Sequence, residues 1–511
     1  MRKHLRRLVS LVVLAFVLVV AASAFARPGG GQSFGGGSKS SGGGSRSSGG
    51  SGFGGGGSRS SGSSGGGGGM SVGGLVLLII VFGIVALVRA MSGPPGNGYS
   101  TGLARGPWVP PPPPPPRRPT GIPARTRLRG LESTDPHFSV IVFEDFAQAL
   151  YVDVMLAAGN GRLEVFSPYL GEAAKRTLSA RPLHGLTTAL VGGMRIDEVE
   201  GLEPGSTHVT AHLVLDTNLS RRDPASGREE ALYSVERWSL RRKKDAKSRA
   251  PDKARVLGCP SCSAPLEQVL AGRCKYCQND VSTGAFDWVV VAIEVLENEA
   301  RGPMLTGTTV EQGNEMPTVV DPRARARVDE LSRKDPAFSY PGFVARVTHV
   351  FYTFQTAWSA RDLASMRPYL SDALFATQTF WVSEYQRQRL RNVTENAAVR
   401  HVELARVTSD AYFDAITVRV YGSSLDYTLS DDTGQIVGGD RTNPRLYTEY
   451  WTFVRAREAK GAARTDRTCP RCGAPLAINM AGKCTHCEAH VTSGSFDWVL
   501  SRIEQDEVYA G

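Results

Sequence analysis

The first 131 of the 511 residues contain no acidic side chain, and the whole chain holds only eight cysteines, none outside two short clusters. Both shortages exclude readings. Fifteen of the 59 Lys and Arg precede Glu132. From there on 44 basic side chains face 49 acidic ones, a net of −5, so the formal charge of +10 does not describe a uniformly basic nucleic-acid binder. The signatures of common catalytic sites are missing too. There is no glycine-rich phosphate loop after a strand, no Gly-x-Ser-x-Gly elbow and no His-Glu-x-x-His. The chain offers no acid–base constellation, and no enzyme is expected.

What is there is a pair of cysteine quartets. Cys259, Cys262, Cys274 and Cys277 form the first, and Cys469, Cys472, Cys484 and Cys487 the second, both spaced C-x2-C-x11-C-x2-C. Four thiolates on two tight knuckles are what a tetrahedral Zn²⁺ requires. Paired knuckles also suit metal better than disulfides, and a thioredoxin-like motif would occur once, at a strand–helix junction. With all four positions filled by sulfur, His486 and His490 are left as neighbours rather than ligands. Two structural Zn²⁺ ions, contributing folding energy, are the cofactors expected.

The start of the chain is organised around a membrane. Arg2, Lys3, Arg6 and Arg7 precede an apolar run, and Ala24-Phe25-Ala26 offers a small-x-small cleavage site, so residues 1–26 read as a signal peptide. Residues 27–69 are almost entirely Gly and Ser, too poor in apolar surface to fold. Residues 70–88 are an uncharged apolar run of spanning length and read as a transmembrane helix. The Arg-rich flank after it follows the positive-inside pattern. The expected arrangement is single-pass in a bacterial inner membrane, with the Gly/Ser segment outside and the globular part in the reducing cytoplasm, where thiolates persist. Residues 89–134 form a Pro-rich linker, whose run at 110–116 makes a polyproline spacer of roughly 20 Å.

The rest is duplicated. Asp135-Pro136-His137-Phe138-Ser139 returns as Asp335-Pro336-Ala337-Phe338-Ser339. Pro168-Tyr169-Leu170 returns as Pro368-Tyr369-Leu370, Glu236-Arg237-Trp238 as Glu449-Tyr450-Trp451, and Phe286-Asp287-Trp288-Val289 as Phe496-Asp497-Trp498-Val499. Phe343, Val347, Val350, Phe351, Phe354 and Trp358 follow helical spacing. Alternating stretches such as His208–Val214 and Ile416–Tyr421 read as strands, with His208 and His212 on a solvated face. Each unit is therefore helices first, then an antiparallel sheet, with the quartet in the last hairpin. Trp238, Trp288, Trp451 and Trp498 are expected in the core, and Asp287 and Asp497 near a turn, pointing outward. The boundaries are 135–300, with a zinc ribbon at 259–277, and 335–511, with a ribbon at 469–487. A linker with a basic helix, 301–334, joins them.

Asp-Pro-x-Phe, the helix ending Ala357-Trp358-Ser359-Ala360-Arg361-Asp362-Leu363, Met366-Arg367-Pro368-Tyr369-Leu370-Ser371 and the Glu-x-Trp-x-Phe strand together resemble the C-terminal domain of the mitochondrial inner-membrane translocase subunit 44 and its bacterial relatives. The resemblance implies an α+β fold, a curved antiparallel sheet wrapped on helices in the manner of nuclear transport factor 2 (cystatin-like), here built twice. The zinc knuckle is not part of the mitochondrial domain and reads as an insertion. The charged region that recruits a chaperone there is replaced here by Gly/Ser, a span and polyproline, so that role does not carry over. Contact with anionic inner-membrane lipid does, as an expectation placed on Arg323, Arg325 and Arg327 around the apolar pair Val328 and Leu331. A second basic run, including Arg241, Arg242, Lys243 and Lys244, leads into the first knuckle and suits lipid headgroups or nucleic-acid phosphates. The function expected is a membrane-anchored scaffold or adaptor for an unidentified membrane-proximal protein, in protein translocation or envelope assembly. A membrane-tethered nucleic-acid or ribosome binder and a small-ligand pocket protein are the alternatives.

Overall fold

The computed structural model describes residues 121–511 apart from 224–225, 255, 271, 304, 307–310, 312 and 507. The expected signal peptide, Gly/Ser segment, membrane span and polyproline run all lie outside the described residues. Among those described, no helix is long and apolar enough to cross a membrane.

Two lobes repeat one plan. Lobe one runs through helix α1 (Ala124–Leu128), helix α2 (Val140–Gly159), helix α3 (Glu172–Ser179), strands β1 (Leu186–Glu200), β2 (His208–Arg222) and β3 (Glu229–Lys243), the short ribbon hairpin β4 (Val269–Leu270) and β5 (Arg273–Cys274), and strand β6 (Val289–Glu299). Its main sheet is antiparallel in the order β1-β2-β3-β6. Lobe two runs through helix α4 (Ala324–Lys334), helix α5 (Tyr340–Ala360), helix α6 (Asp372–Arg387), and strands β7 (Leu390–Ser409), β8 (Phe413–Ser430), β9 (Ile436–Gly439), β10 (Arg445–Ala456) and β11 (Val499–Gln505). Its sheet is ordered β11-β10-β8-β7, with β9 beside β8. In each lobe the quartet lies between the last two paired strands, where the sequence places it.

The repeated words mark joints. Ser139 and Ser339 cap α2 and α5, their hydroxyls accepting from the amides of Val142 and Gly342 at 3.2 Å. Pro-Tyr-Leu ends each helical layer on the last strand: Gly171 donates to the Val290 carbonyl and Ser371 to that of Leu500, both at 2.9 Å. The Glu-x-Trp pair holds itself, since the Trp238 indole donates to Glu236 and the Trp451 indole to Glu449. Strands of 15 to 20 residues are long, and register shifts, as at Val191/Gly193 and Glu395/Ala398, bend them. The core of each lobe lies between the sheet and its long helix. In lobe one it gathers Phe143, Leu150, Val154, Leu213 and Trp238, in lobe two Phe343, Phe351, Trp358, Val418 and Trp451. All four tryptophans expected in the core are buried.

Lobe one begins before Asp135. Leu128 and Leu131, placed by the sequence in the Pro-rich linker, are fully buried in its core. Likewise Val328 and Leu331 of α4 pack into lobe two. The apolar stripe offered to lipid is therefore taken by its own domain, because a short amphipathic helix gains more from a preformed core beside it than from staying exposed.

The lobes meet along α2. Glu144 sits between Arg125 (2.9 Å) and Arg502 of lobe two (2.6 Å). The Ser139 hydroxyl donates to Asp410 at 2.6 Å, and Val142 and Ala254 pack on Phe413. Burial alone would raise the Glu144 carboxyl, but the two guanidiniums hold it below its ordinary range.

Candidate metal centres and their seats

The eight cysteines gather into the two expected groups. Cys259 and Cys277 sulfurs lie 3.9 Å apart, Cys262 and Cys274 3.7 Å, and Cys469 and Cys487 3.9 Å. These are far beyond a sulfur–sulfur bond of about 2.05 Å. They match the edge of about 3.8 Å that a tetrahedron with metal–sulfur bonds of about 2.3 Å requires. Two cysteines of each group are buried, one is half-buried, and Cys262 and Cys472 are exposed. The donor set fits a closed four-thiolate metal site.

One local device shapes all four knuckles. The residue after the second cysteine donates its amide to the carbonyl of the first: Ser263 to Cys259 (2.8 Å), Gln278 to Cys274 (3.0 Å), Gly473 to Cys469 and Glu488 to Cys484 (both 2.9 Å). Closing that turn puts each of the four in the left-handed region, with φ of 63°, 59°, 72° and 57°. Only Gly473 adopts it without steric cost.

Each ribbon stands on a repeated seat that the sequence did not reveal. Arg242, at the end of β3, is buried and donates to Asp135 at 2.8 Å. Arg455, at the end of β10, does the same to Asp335 at 2.9 Å. Each guanidinium also lies over two rings, at 5.3 Å from Phe138 and 5.2 Å from Trp288 in lobe one, and at 5.7 Å from Phe338 and 4.7 Å from Trp498 in lobe two. So Asp-Pro-x-Phe, the strand before the ribbon and the Trp after it form one joint. Burial opposes the Asp135 charge, but bonds from Ser248 and Arg242 outweigh it and hold its carboxyl below the usual range. The common signal was an Asp in the repeat and an Arg at matching strand ends, but pairing them across 107 residues needed the fold.

Asp287 and Asp497 do not point outward. Asp287 accepts from Arg249 (2.6 Å) and from the Trp288 amide (2.8 Å), and Asp497 is buried and accepts from the Trp498 amide at 2.7 Å. Each caps the turn that leaves its ribbon. His212 is largely buried rather than solvated and bonds Ser239 at 2.8 Å; it lies near Glu198 and Glu200, but Glu198 is held by Arg237 at 2.9 Å.

The basic run is divided. Arg241 and Lys243 are exposed, whereas Arg242 is spent inside the joint and Lys244 donates to the carbonyls of Leu202 and Glu203. On α4 and just before it, Arg325 and Arg323 are exposed, while Arg327 donates to the Val407 carbonyl at 3.0 Å. The second ribbon has an extra anchor: Arg367, buried against the Phe375 ring, donates to the carbonyls of Met480 and Leu370 and to Asp372, which also takes His490 and Thr492. His490 is thus tied to a carboxylate, not to the sulfur cluster.

Residues 324–464 match the family model of the Tim44-like domain. That stretch, from the first residue of α4 to just before the second quartet, is similar to the Tim44-like domain. Lobe one repeats its plan, and each lobe adds a four-cysteine cluster. No curated protein matches the chain.

Proposed function

We propose that this chain is a membrane-anchored, non-enzymatic scaffold whose two lobes hold a membrane-proximal protein partner in translocation or envelope assembly. The observation that carries the reading is the Tim44-like domain at 324–464, on a plan the chain builds twice. Two linked copies gain avidity from modest single contacts, which suits binding better than turnover. In this reading both sheets are of the nuclear-transport-factor-2 type, each quartet holds a structural Zn²⁺, the span at 70–88 anchors the chain, and the lobes lie in the cytoplasm. Exposed Arg323, Arg325, Arg241 and Lys243 would meet anionic headgroups. The internal engagement of Arg242 and Lys244 leaves the nucleic-acid alternative a thinner surface than the sequence offered.

The test is affinity capture from detergent-solubilised native membranes, comparing the wild type with a Cys469→Ser/Cys472→Ser variant whose first lobe is verified as folded. Translocase or envelope subunits retained by the wild type and lost from the variant support the scaffold and place the partner near the second ribbon. Capture of ribosomes that disappears on nuclease treatment refutes it in favour of the nucleic-acid reading.

A further inference from the structure

Strand β6 forms one edge of the lobe-one sheet, and much of its second half is exposed. At its start Leu170 bridges Val290, and helix α3 packs beside it. Farther along, Glu294, Val295, Leu296, Asn298 and Glu299 are exposed, and among the described residues no strand pairs with the outer edge. This stretch is an addition to the shared plan. Val295 pairs with Glu236 as Gln505 pairs with Glu449. In lobe two the last strand ends there, and Asp506 turns onto the buried Arg419 at 2.8 Å. In lobe one β6 runs on to Glu299.

The chemistry of this edge is one-sided. Glu294, Glu297 and Glu299 lie opposite Arg237, Val235 and Tyr233, so all three carboxylates share the outer face of the sheet. Val295 lies on the inner face and Leu296 is the extra residue of a bulge; both are exposed aliphatics. Glu299 is bonded to Arg301. Arg237 is taken by Glu198 at 2.9 Å and Asp197 at 3.5 Å, and among the described residues no cation pairs with Glu294 or Glu297. Burial pushes the Asp216 carboxyl up to about 6, with Glu297 adding to it against the pull of Arg195. Acid therefore outweighs base along this border.

An open edge carries amides and carbonyls that another strand can take, and a bulge and charges guard it against copies of itself. Two β6 edges side by side would bring glutamates together, and an anionic bilayer is repelled likewise. Charges of one sign do not bar a strand of the other sign; they select it. We propose that the β6 edge from Glu294 to Glu299 takes up an extended basic segment of a partner protein as a fifth strand. Its Lys or Arg side chains would alternate onto the three glutamates, and its apolar ones would lie beside Val295. The edge spans about 20 Å, so main-chain bonds supply affinity and the carboxylates supply selectivity. That the partner is a protein rests on the scaffold reading above.

The experiment titrates the full chain in detergent with a fluorescent peptide of about ten residues alternating Lys and Val. One control alternates Glu and Val; the other is the Lys/Val peptide with every backbone amide methylated, which keeps its charge and cannot pair. The Lys/Val peptide is expected to bind, to weaken with salt, and to slow hydrogen exchange at 294–299, with both controls weaker by roughly tenfold or more. Glu294→Lys/Glu297→Lys, checked for folding by circular dichroism, should reverse the preference between Lys/Val and Glu/Val. Equal binding of the methylated peptide, protection confined to other segments, or indifference to the charge reversal overturns the proposal. The same variant enters the membrane capture. Loss of translocase or envelope subunits supports the edge, and their retention refutes it while leaving the scaffold. Peptide binding by a wild type that captures only ribosomes keeps the edge and refutes the scaffold.

Discussion

A carboxylate and a guanidinium, buried together at the foot of each ribbon, decide where the chain turns. Asp335 and Arg455 are both almost wholly inaccessible, and the Arg is also enclosed by Phe338 and Trp498. Removing one partner strands the other charge, so Asp335→Ala is expected to cost lobe two roughly 3–5 kcal/mol, read by denaturant unfolding. Restoring near-wild-type stability with Arg455→Leu in the same chain would confirm that the stranded charge is the cause; no recovery would show that Asp335 acts otherwise. The knuckles make the opposite prediction. Gln278 and Glu488 sit in the left-handed region, so Gln278→Gly or Glu488→Gly should stabilise the metal-loaded protein by about 1 kcal/mol. Gly473→Ala should destabilise it by a similar amount.

At the level of the element, the ribbons are alike in their thiolates and unlike in their moorings. Only the second is gripped by Arg367, whose bonds run to its loop at Met480 and to Asp372. Arg367→Ala is expected to free that loop and speed release of metal from the second quartet to a chelator, with the first quartet unchanged. A colorimetric chelator assay on the wild type, which should release two ions per chain, reads this directly. Equal acceleration at both quartets would refute the local mooring. Complete metal removal should unfold both ribbons, since each has only a small apolar cluster of its own and metal–thiolate bonds supply folding energy.

Across the whole molecule, the seam depends on Glu144. Its folded carboxyl is held below the ordinary 4.5, so its contribution is complete above that value and is lost as the pH falls through the depressed one. The lobes are therefore expected to stay docked at neutral pH and loosen only in acid. Glu144→Gln should loosen them at neutral pH, leaving Arg125 and Arg502 facing each other. Small-angle scattering of wild type and variant should differ at pH 7 and converge in strong acid; identical profiles at pH 7 would show that the remaining contacts between the lobes, among them Ser139 with Asp410, Arg129 with Ser409 and Val142 with Phe413, suffice.

Repetition made much of this legible from the chain alone. Spacing within Cys259–Cys277 and Cys469–Cys487 is local, and a four-cysteine cluster needs little beyond its own knuckles, so the clustering was readable. Helix-spaced aromatics and alternating strands gave two α+β lobes, because periodicity reports which face a core will take. What the sequence could not decide is which long-range partners compete for a side chain. Arg242 read as one charge in a basic run until Asp135 was folded against it. Val328 and Leu331 read as a face for lipid until lobe two covered them, and Asp287 and Asp497 read as outward until the ribbon's exit turned them in. Local geometry is written in neighbouring residues; burial and pairing are settled only when distant segments meet, since the same charge or methyl group is stable in whichever setting removes it best from an unfavourable one.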